Sequence, residues 1–190
     1  MYWENAGQEN TEATLKLAMD RARALGIKHL VIASNQGNTI QTLLEQHDTS
    51  DLNMVVVTHH VGFRNPGEDE MSAEIRQALT KKGVKILTTT HLLAGIDRGV
   101  RNHFGGVYPA EIIAQTLRIF GQGIKVAVEI SSMALDAGLI PYGEDIIAIA
   151  GTARGADAAA VIRPAHASYF FQTEVREIIC MPRNKKKAES

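Results

Sequence analysis

The residues best suited to chemistry lie in one short stretch, Ala33-Ser34-Asn35-Gln36-Gly37-Asn38-Thr39, between an apolar β-branched run and a segment of helical period. Its side chains offer hydroxyl and amide donors, and Gly37 lets the backbone approach a ligand closely. Free N–H groups and the positive end of the helix dipole favour an anion at such a helix start. The stretch therefore predicts a phosphate-binding turn. The alternative is an ordinary strand-to-helix turn in which Asn38 or Thr39 caps the helix.

A second glycine-containing loop, Gly151-Thr152-Ala153-Arg154-Gly155-Ala156-Asp157, follows another apolar run. Arg154 can bind phosphate through its planar guanidinium, and Asp157 can accept a hydrogen bond from a sugar hydroxyl. Alternatively, the two side chains pair with each other at the surface. Open α/β sheets bind ligands in the crevice at the carboxyl ends of their strands, and both loops are expected there.

A third stretch, residues 58–67, places Phe63 where its ring either stacks on a planar ligand or closes the edge of the core. His59 and His60, together with His91, raise the question of a metal site. However, adjacent residues of an extended chain point in opposite directions, and no cysteine or carboxylate completes a familiar ligand spacing. We expect no metal here.

The elements that position these loops alternate between strands and helices, which predicts a mostly parallel sheet. Helices are expected from Asn10 or Thr11 to Leu25, from about Thr39, from Ser72 to Gly83, and from about Pro109 to Phe120. Strands are expected at 29–33, 54–58, 84–87, 146–150, 159–163 and 177–181. Residues 124–137 alternate like a strand at first but keep a helical period for longer, which favours a helix. Residues 88–122 interrupt the alternation.

The composition describes an ordinary globular domain of 190 residues, 45% hydrophobic and 22% charged, with a net charge of −1. This charge gives no field that would recruit nucleic acid or an anionic membrane, so neither is expected as a partner. Cys180 is the single cysteine, which excludes an intrachain disulfide and favours the cytoplasm. We expect one domain over 1–190, with residues 184–190 as a frayed basic tail.

Several segments of the chain resemble the C-terminal α/β domain of pyruvate kinase. They are Gly138-Leu139-Ile140, the run from Asp145 to Gly151 and Arg154-Gly155-Ala156-Asp157, with the 33–39 stretch in the position of that domain's effector phosphate loop. The whole chain is more similar to a small group of stand-alone archaeal and bacterial proteins built on this domain. That closer likeness is carried by Glu9-Asn10-Thr11-Glu12, Gly26-Ile27-Lys28-His29-Leu30-Val31, Arg154-Gly155-Ala156-Asp157, Val161-Ile162-Arg163-Pro164-Ala165-His166 and Glu177-Ile178-Ile179-Cys180-Met181-Pro182-Arg183-Asn184.

This resemblance implies a three-layer α/β/α sandwich whose mixed, mostly parallel sheet has one late antiparallel strand. It also implies that the chain is not a pyruvate kinase, because the catalytic residues of those enzymes belong to a separate barrel domain. The stand-alone group is associated with bound flavin mononucleotide and has no assigned reaction. The resemblance implies a phosphate on Ser34, Asn35, Gly37, Asn38 and Thr39. The isoalloxazine would lie near Thr58, Gly62, Phe63, or the loop that includes Gly151, Thr152, Arg154, Gly155 and Asp157.

Three functions remain open from the sequence. The first is a flavin mononucleotide-binding protein, with the chemistry of a small oxidoreductase supplied mainly by the cofactor. The second is a non-catalytic sensor of a sugar phosphate or nucleotide, and for either function the family resemblance alone predicts a homo-oligomer. The third is a hydrolase or lyase using His91, His166 or Glu129, but no nucleophile motif supports it and the catalytic residues stay unassigned.

Overall fold

A seven-stranded mixed sheet forms the centre of the molecule in a computed structural model that describes residues 1–184. The strands lie in the order β1-β7-β6-β5-β2-β3-β4. β6 runs antiparallel to both its neighbours, and every other neighbouring pair is parallel. This topology confirms the expected mixed sheet with one late antiparallel strand. The strands are β1 (Tyr2–Asn5), β2 (His29–Ala33), β3 (Asn53–Val57), β4 (Lys85–Leu87), β5 (Ile146–Ala150), β6 (Ala158–Arg163) and β7 (Glu174–Asn184).

Helices cover both faces of the sheet, which confirms the three-layer α/β/α fold. α1, α2 and α3 pack against one face, while α6 covers the other and carries α5 on its outer side. The helices are α1 (Thr11–Leu25), α2 (Asn38–Gln46), α3 (Ala73–Lys81), α4 (Ile96–Phe104), α5 (Pro109–Arg118) and α6 (Gln122–Asp136). Short 3-10 turns lie at Gln8–Asn10 and Ala167–Gln172. None of the helices within residues 1–184 is long and apolar enough to cross a bilayer.

The strand β2 shows how the sequence specifies the middle layer. Leu30 and Ile32 contribute to the core beneath α1 to α3, whereas Val31 contributes to the core beneath α6. Successive strand residues point to opposite faces, so a strand covered on both sides needs apolar residues throughout. All three side chains are fully buried.

The helix α6 lies very close to the sheet at its first turn. A Cβ built on Gly123 would be 2.6 Å from the Cβ of Ala158 and 2.9 Å from an oxygen of Asp157. Only glycine allows this approach. It brings the start of α6 to the carboxyl end of β5, beside the glycine loop that follows Ala150.

Three elements depart from the sequence expectations. The strand β1 was not expected, because four residues with few apolar side chains carry no clear period; its register pairs Tyr2 with Met181 of β7. The helix α4 was missed: it is short, it contains Gly99 in its interior, and none of its residues is buried in the core. β7 extends beyond 177–181 in both directions, and its last residue, Asn184, hydrogen-bonds Asn5 rather than beginning a frayed tail. The remainder of the expected tail, 185–190, lies outside the described residues.

The helix starts also differ in detail. Ser72 caps α3 as expected, its Oγ accepting from the amide of Ile75 at 3.3 Å. Asn10 precedes α1 but does not cap it, because its side chain donates instead to the carbonyls of Asn5 and Gly7.

Candidate functional site

One cleft of about 770 Å³ opens at the carboxyl ends of the parallel strands. It is bordered by the loops that follow β2, β3 and β5, by the segment before α1, and by the first turns of α6. Its size is within the range of pockets that hold small molecules. The cleft brings together nine of the thirteen predicted site residues: Ser34, Asn35, Asn38, Thr39, Thr58, Phe63, Gly151, Arg154 and Gly155.

The start of α2 faces this cleft without a side-chain cap. Gly37 is the N-cap residue, and no side chain of the described chain caps the first turn. Neither Asn38 nor Thr39 therefore acts as the cap that the alternative interpretation required. Ser34 is 5% exposed, and its Oγ has no hydrogen-bond partner within residues 1–184. A helix start leaves its first N–H groups unsatisfied, and a buried hydroxyl without a partner is costly. Both features leave hydrogen-bond donors without acceptors in the described chain, at the edge of the cleft.

Gly37 itself does not line the cleft. A Cβ at this residue would point into the helix layer, 2.6 Å from Cγ2 of Ile75 and within 4 Å of Leu79 and Met71. Its φ of 90° also lies in the left-handed region that favours glycine. Gly37 therefore shapes the turn and allows α3 to pack against it, rather than clearing space for a ligand.

The loop after β5 is held tightly against the segment that precedes α1. Thr11 Oγ1 accepts from the amide of Ala156 at 3.0 Å, and a Cβ at Gly155 would be 2.3 Å from that same oxygen. The Arg154 side chain is exposed at the rim and makes no ion pair within residues 1–184, so the expected alternative pairing with Asp157 is absent from the structure. A fixed loop thus presents a free guanidinium to the cleft.

Asp157 and Thr152 lie behind this loop and not in the cleft. Asp157 is fully buried, and its Oδ2 accepts from the amides of Gly7 (3.1 Å) and Thr152 (3.2 Å). Burial raises the pKa of Asp157, and its hydrogen bonds oppose that shift. The Asp157 carboxyl therefore connects the N-terminal segment to the glycine loop through these two hydrogen bonds. It is not placed to receive a sugar hydroxyl.

Phe63 lines the cleft, whereas Gly62 lies in the adjoining turn outside it. The Phe63 ring stacks on His59, with ring centroids 3.7 Å apart, and the guanidinium carbon of Arg98 is 5.9 Å from the centroid of Phe63. Stacking and cation–π contact already engage this ring within the protein. A planar ligand would share Phe63 with these two neighbours.

The sequence analysis missed three arginines of the cleft, namely Arg64, which pairs with Glu70, and two others that have no such partner among residues 1–184. Arg98 belongs to α4 and Arg118 ends α5, both within the 88–122 segment, and both line the cleft half-buried. Arg118 Nε donates to Oε1 of Gln122 at 2.7 Å, yet neither guanidinium pairs with a carboxylate in the described part of the chain. With Arg154, three unpaired guanidinium groups surround the opening. For Arg98 and Arg118 the available signal was their place in the glycine-rich 88–122 segment.

A buried ionic group forms part of the wall nearest α6. Lys125 is 5% exposed and Glu129 is 3% exposed, and the Lys125 ammonium donates to Oε2 of Glu129. Oε1 of Glu129 accepts from the amide of Leu93 at 2.8 Å. Burial lowers the pKa of Lys125 while Glu129 opposes the shift. The signal in the sequence was a lysine and a glutamate, four residues apart, within the otherwise apolar run 124–130.

His91 also borders the cleft, and its Nε2 donates to the carbonyl of Thr58 at 3.3 Å. Burial lowers the pKa of His91, an effect that the nearby Glu129 carboxylate and the Thr58 carbonyl partly offset. Within residues 1–184 no three histidine, cysteine or carboxylate side chains converge in a way that could hold a metal ion.

Comparison with known proteins identifies the framework of this site. The family model described as the pyruvate kinase alpha/beta domain matches residues 12–162. Among solved structures, a pyruvate kinase from Cryptosporidium parvum is similar to this chain at 16% identity over 79% of it, with a TM-score of 0.40. A Cryptosporidium parvum pyruvate kinase in complex with ADP is similar at 16% identity over 80%, with a TM-score of 0.42. The chain spans only 22% and 23% of the length of these two proteins.

Proposed function

We propose that this chain, which belongs to the pyruvate kinase alpha/beta domain family, binds a phosphorylated small molecule in the cleft at the carboxyl ends of its strands. The observation that carries the proposal is the buried, unpartnered hydroxyl of Ser34 beside the uncapped start of α2. A phosphate group has several acceptor oxygens, so it can accept hydrogen bonds from the Ser34 hydroxyl and from the free amides of α2 at the same time.

The charges around the cleft support the same class of ligand. Arg98, Arg118 and Arg154 line it without carboxylate partners in residues 1–184. Guanidinium groups match phosphate through parallel N–H donors and stay protonated at any physiological pH. Leaving three of them unpaired around one opening favours an anionic ligand.

Flavin mononucleotide is the specific ligand that we propose. Its phosphate is suited to Ser34, Asn35, Asn38 and Thr39, and the cleft volume suffices for a mononucleotide. Phe63 is the one aromatic side chain other than histidine that lines the cleft in the described chain. It would contact the isoalloxazine ring together with the loop that follows β5. A bound flavin would supply hydride or single-electron transfer; the protein residues would bind and orient it.

A sensor of a sugar phosphate or nucleotide is the second candidate, and one observation favours it. Three guanidinium groups exceed the charge of one phosphate monoester, which is between −1.5 and −2 at neutral pH. A ligand with a second anionic group would use them more fully. In that case the protein would respond to ligand through a change in assembly rather than through chemistry.

The absorption spectrum of freshly purified protein, followed by mass analysis of any released compound, tests these candidates. Stoichiometric flavin mononucleotide would support the flavin assignment. A colourless protein is next titrated with flavin mononucleotide and with riboflavin, which lacks the phosphate. Binding of the first compound alone supports the proposal, whereas equal binding of both contradicts a phosphate-directed site. A preparation that binds neither flavin but is stabilised by a sugar bisphosphate favours the sensor.

Two further properties belong to this proposal. Self-association rests on the family resemblance, and sedimentation equilibrium with and without ligand measures it. A cytoplasmic location rests on the composition, in which the single cysteine, Cys180, is buried. Cell fractionation with an antibody against the chain checks that location.

A further inference from the structure

We infer, on the basis of the phosphate site proposed above, that Lys125 is a reactive amine which forms an imine with a phosphorylated aldehyde or ketone held in the cleft. This assigns a covalent activity to a residue that phosphate binding alone does not require. It also narrows the ligand class from any phosphorylated molecule to one that carries a carbonyl group.

The position of Lys125 is the first support. Its side chain is buried yet borders the cleft, and within residues 1–184 its ammonium has Glu129 Oε2 as its hydrogen-bond partner. A lysine ammonium has three N–H donors, so the remaining donors have no protein acceptor. A buried ion pair is itself a weak contributor to stability, because desolvation offsets much of the attraction. Stability alone therefore gives little reason for this pair at the wall of a pocket.

The surroundings of Lys125 favour the neutral amine that attack on a carbonyl needs. The residue lies in the first turns of α6, where the positive end of the helix dipole disfavours a cation. Arg98 and Arg118 add positive charge nearby, and burial removes the ammonium from water. Burial is the largest influence on the pKa of Lys125 and lowers it; Glu129 opposes this shift, and the two arginines add to it. Desolvation beside other cations is a known way to activate lysine.

Glu129 is placed to move the proton. Its carboxylate touches the Lys125 ammonium through Oε2, and the Leu93 amide holds Oε1 at 2.8 Å. This second hydrogen bond keeps the carboxylate in place when the ammonium no longer pairs with it. Glu129 can therefore accept a proton from Lys125 and later return it without leaving its position.

The reaction balances without any outside oxidant or reductant. Lys125 transfers one ammonium proton to Glu129, and the neutral nitrogen bonds to the carbonyl carbon of the ligand. The attacking nitrogen, which carries a positive charge once it has bonded, passes one proton to the carbonyl oxygen to give a neutral carbinolamine. Loss of water, with the proton from Glu129 returned to the leaving hydroxyl, yields the protonated imine. The sum is one ammonium and one carbonyl compound converted to one iminium and one water.

Pyridoxal 5′-phosphate, a phosphorylated aldehyde, is the probe that tests this inference. The intact protein is incubated with it, the imine is reduced with sodium borohydride, and labelled lysines are identified by peptide mapping. We expect Lys125 to be labelled more strongly than the exposed Lys16, because burial lowers the pKa of Lys125 and so increases its fraction of neutral amine. Pyridoxal without phosphate should not favour Lys125. Lys125→Gln should lose the label and Lys16→Gln should keep it.

Calorimetry with pyridoxine 5′-phosphate, whose alcohol cannot form an imine, separates the two proposals. Binding of this compound without preferential labelling of Lys125 overturns the inference and leaves the phosphate site intact. Absence of both binding and labelling contradicts the phosphate site and the inference with it. If Lys125→Gln does not fold, the peptide map of the wild-type protein still decides, because it compares Lys125 with the other lysines of the same molecule.

Discussion

Asn35 and His59 hold each other through two contacts that join the loops after β2 and β3. The His59 amide donates to Oδ1 of Asn35 at 2.9 Å, which leaves the Nδ2 of Asn35 to donate to Nε2 of His59 at 3.1 Å. Because Nε2 accepts, the imidazole carries its proton on Nδ1, which donates to Oε1 of Glu70 at 2.6 Å. Arg64 holds the other oxygen of that carboxylate at 3.1 Å. A chain of polar contacts thus fixes one wall of the cleft.

Replacing Asn35 should lower both the stability of the protein and its affinity for the ligand. In Asn35→Ala the His59 amide and Nε2 lose their partners, and we expect the free energy of unfolding to fall by about 1–3 kcal/mol. Affinity for flavin mononucleotide should fall as well. Urea denaturation and calorimetric titration measure the two effects. Asn65→Ala is the control, because the Asn65 side chain hydrogen-bonds only the exposed Glu68 in the part of the chain that the structure describes. Equal loss of stability in both variants would contradict a special role for Asn35.

Ser34 allows ligand binding to be separated from stability. Its buried Oγ has no hydrogen-bond partner among residues 1–184, so Ser34→Ala should leave the unliganded protein as stable as the wild type, or slightly more so. The same change should weaken phosphate-ligand binding by about 0.5–1.5 kcal/mol, the value of one ordinary hydrogen bond. Thermal denaturation and calorimetry measure the two properties.

Ser132→Ala is the matched control for Ser34→Ala. Ser132 Oγ is also buried and without a hydrogen-bond partner in residues 1–184, but it does not line the cleft. Its removal should not change affinity. Unchanged affinity in Ser34→Ala, or an equal loss in both variants, would move the phosphate away from the start of α2.

Arg154→Ala should weaken binding with little effect on folding. The side chain is exposed and unpaired in the described chain, so no contact within the protein is lost. Loss of one guanidinium–phosphate interaction should reduce affinity by about tenfold, which corresponds to 1.4 kcal/mol. Arg183→Ala removes another exposed arginine that lies outside the cleft, and its affinity should match the wild type. The salt dependence of binding should also decrease in Arg154→Ala and not in the control.

Gly37→Ala should reveal the packing role of this glycine. A Cβ there meets Cγ2 of Ile75 at 2.6 Å, and crowding of this kind costs about 1–3 kcal/mol. The unfavourable φ costs about 1–2 kcal/mol more. Gly83→Ala is the control. Gly83 has a similar φ of 79°, but no atom lies within 4 Å of the added Cβ, so this variant should lose stability only through the unfavourable φ. The difference in free energy of unfolding between the two variants measures the contact with α3. Equal free energies of unfolding in the two variants would show that the Ile75 side chain moves aside at no energetic cost.

Much of the fold was predictable from local pattern because the middle strands are apolar on both faces. The runs that became β2, β3 and β5 are bounded by turn residues, and the period of α6 persists beyond strand length. β1 was not predictable, since its place depends on pairing with β7, which lies almost the whole chain away. Local sequence carries little information about a short edge strand that tertiary contacts stabilise.

The site was predictable in part, for a related physical reason. Loops at strand ends are necessarily brought to one edge of a parallel sheet, so Ser34, Thr58 and Arg154 could be placed together in advance. The burial of Asp157 could not be predicted, because nothing in the local sequence shows that its carboxyl faces inward and accepts from the Gly7 amide. Arg98 reaches the cleft from α4, whose position depends on helix contacts that no short motif encodes.

The pH dependence of stability should carry a signature of His91. Burial lowers the pKa of His91 in the folded protein below its ordinary value of 6.5. As the pH is lowered, His91 therefore becomes protonated at a higher pH in the unfolded chain than in the folded chain. The contribution of neutral His91 to stability is therefore complete above about pH 6.5 and is lost as the pH falls below it. His91→Gln cannot take up this proton, and its free energy of unfolding should decline less between pH 7 and pH 5. Urea denaturation across this range measures both proteins, with the exposed His103→Gln expected to follow the wild type. Parallel pH profiles for wild type and His91→Gln would mean that His91 titrates alike in the folded and unfolded states.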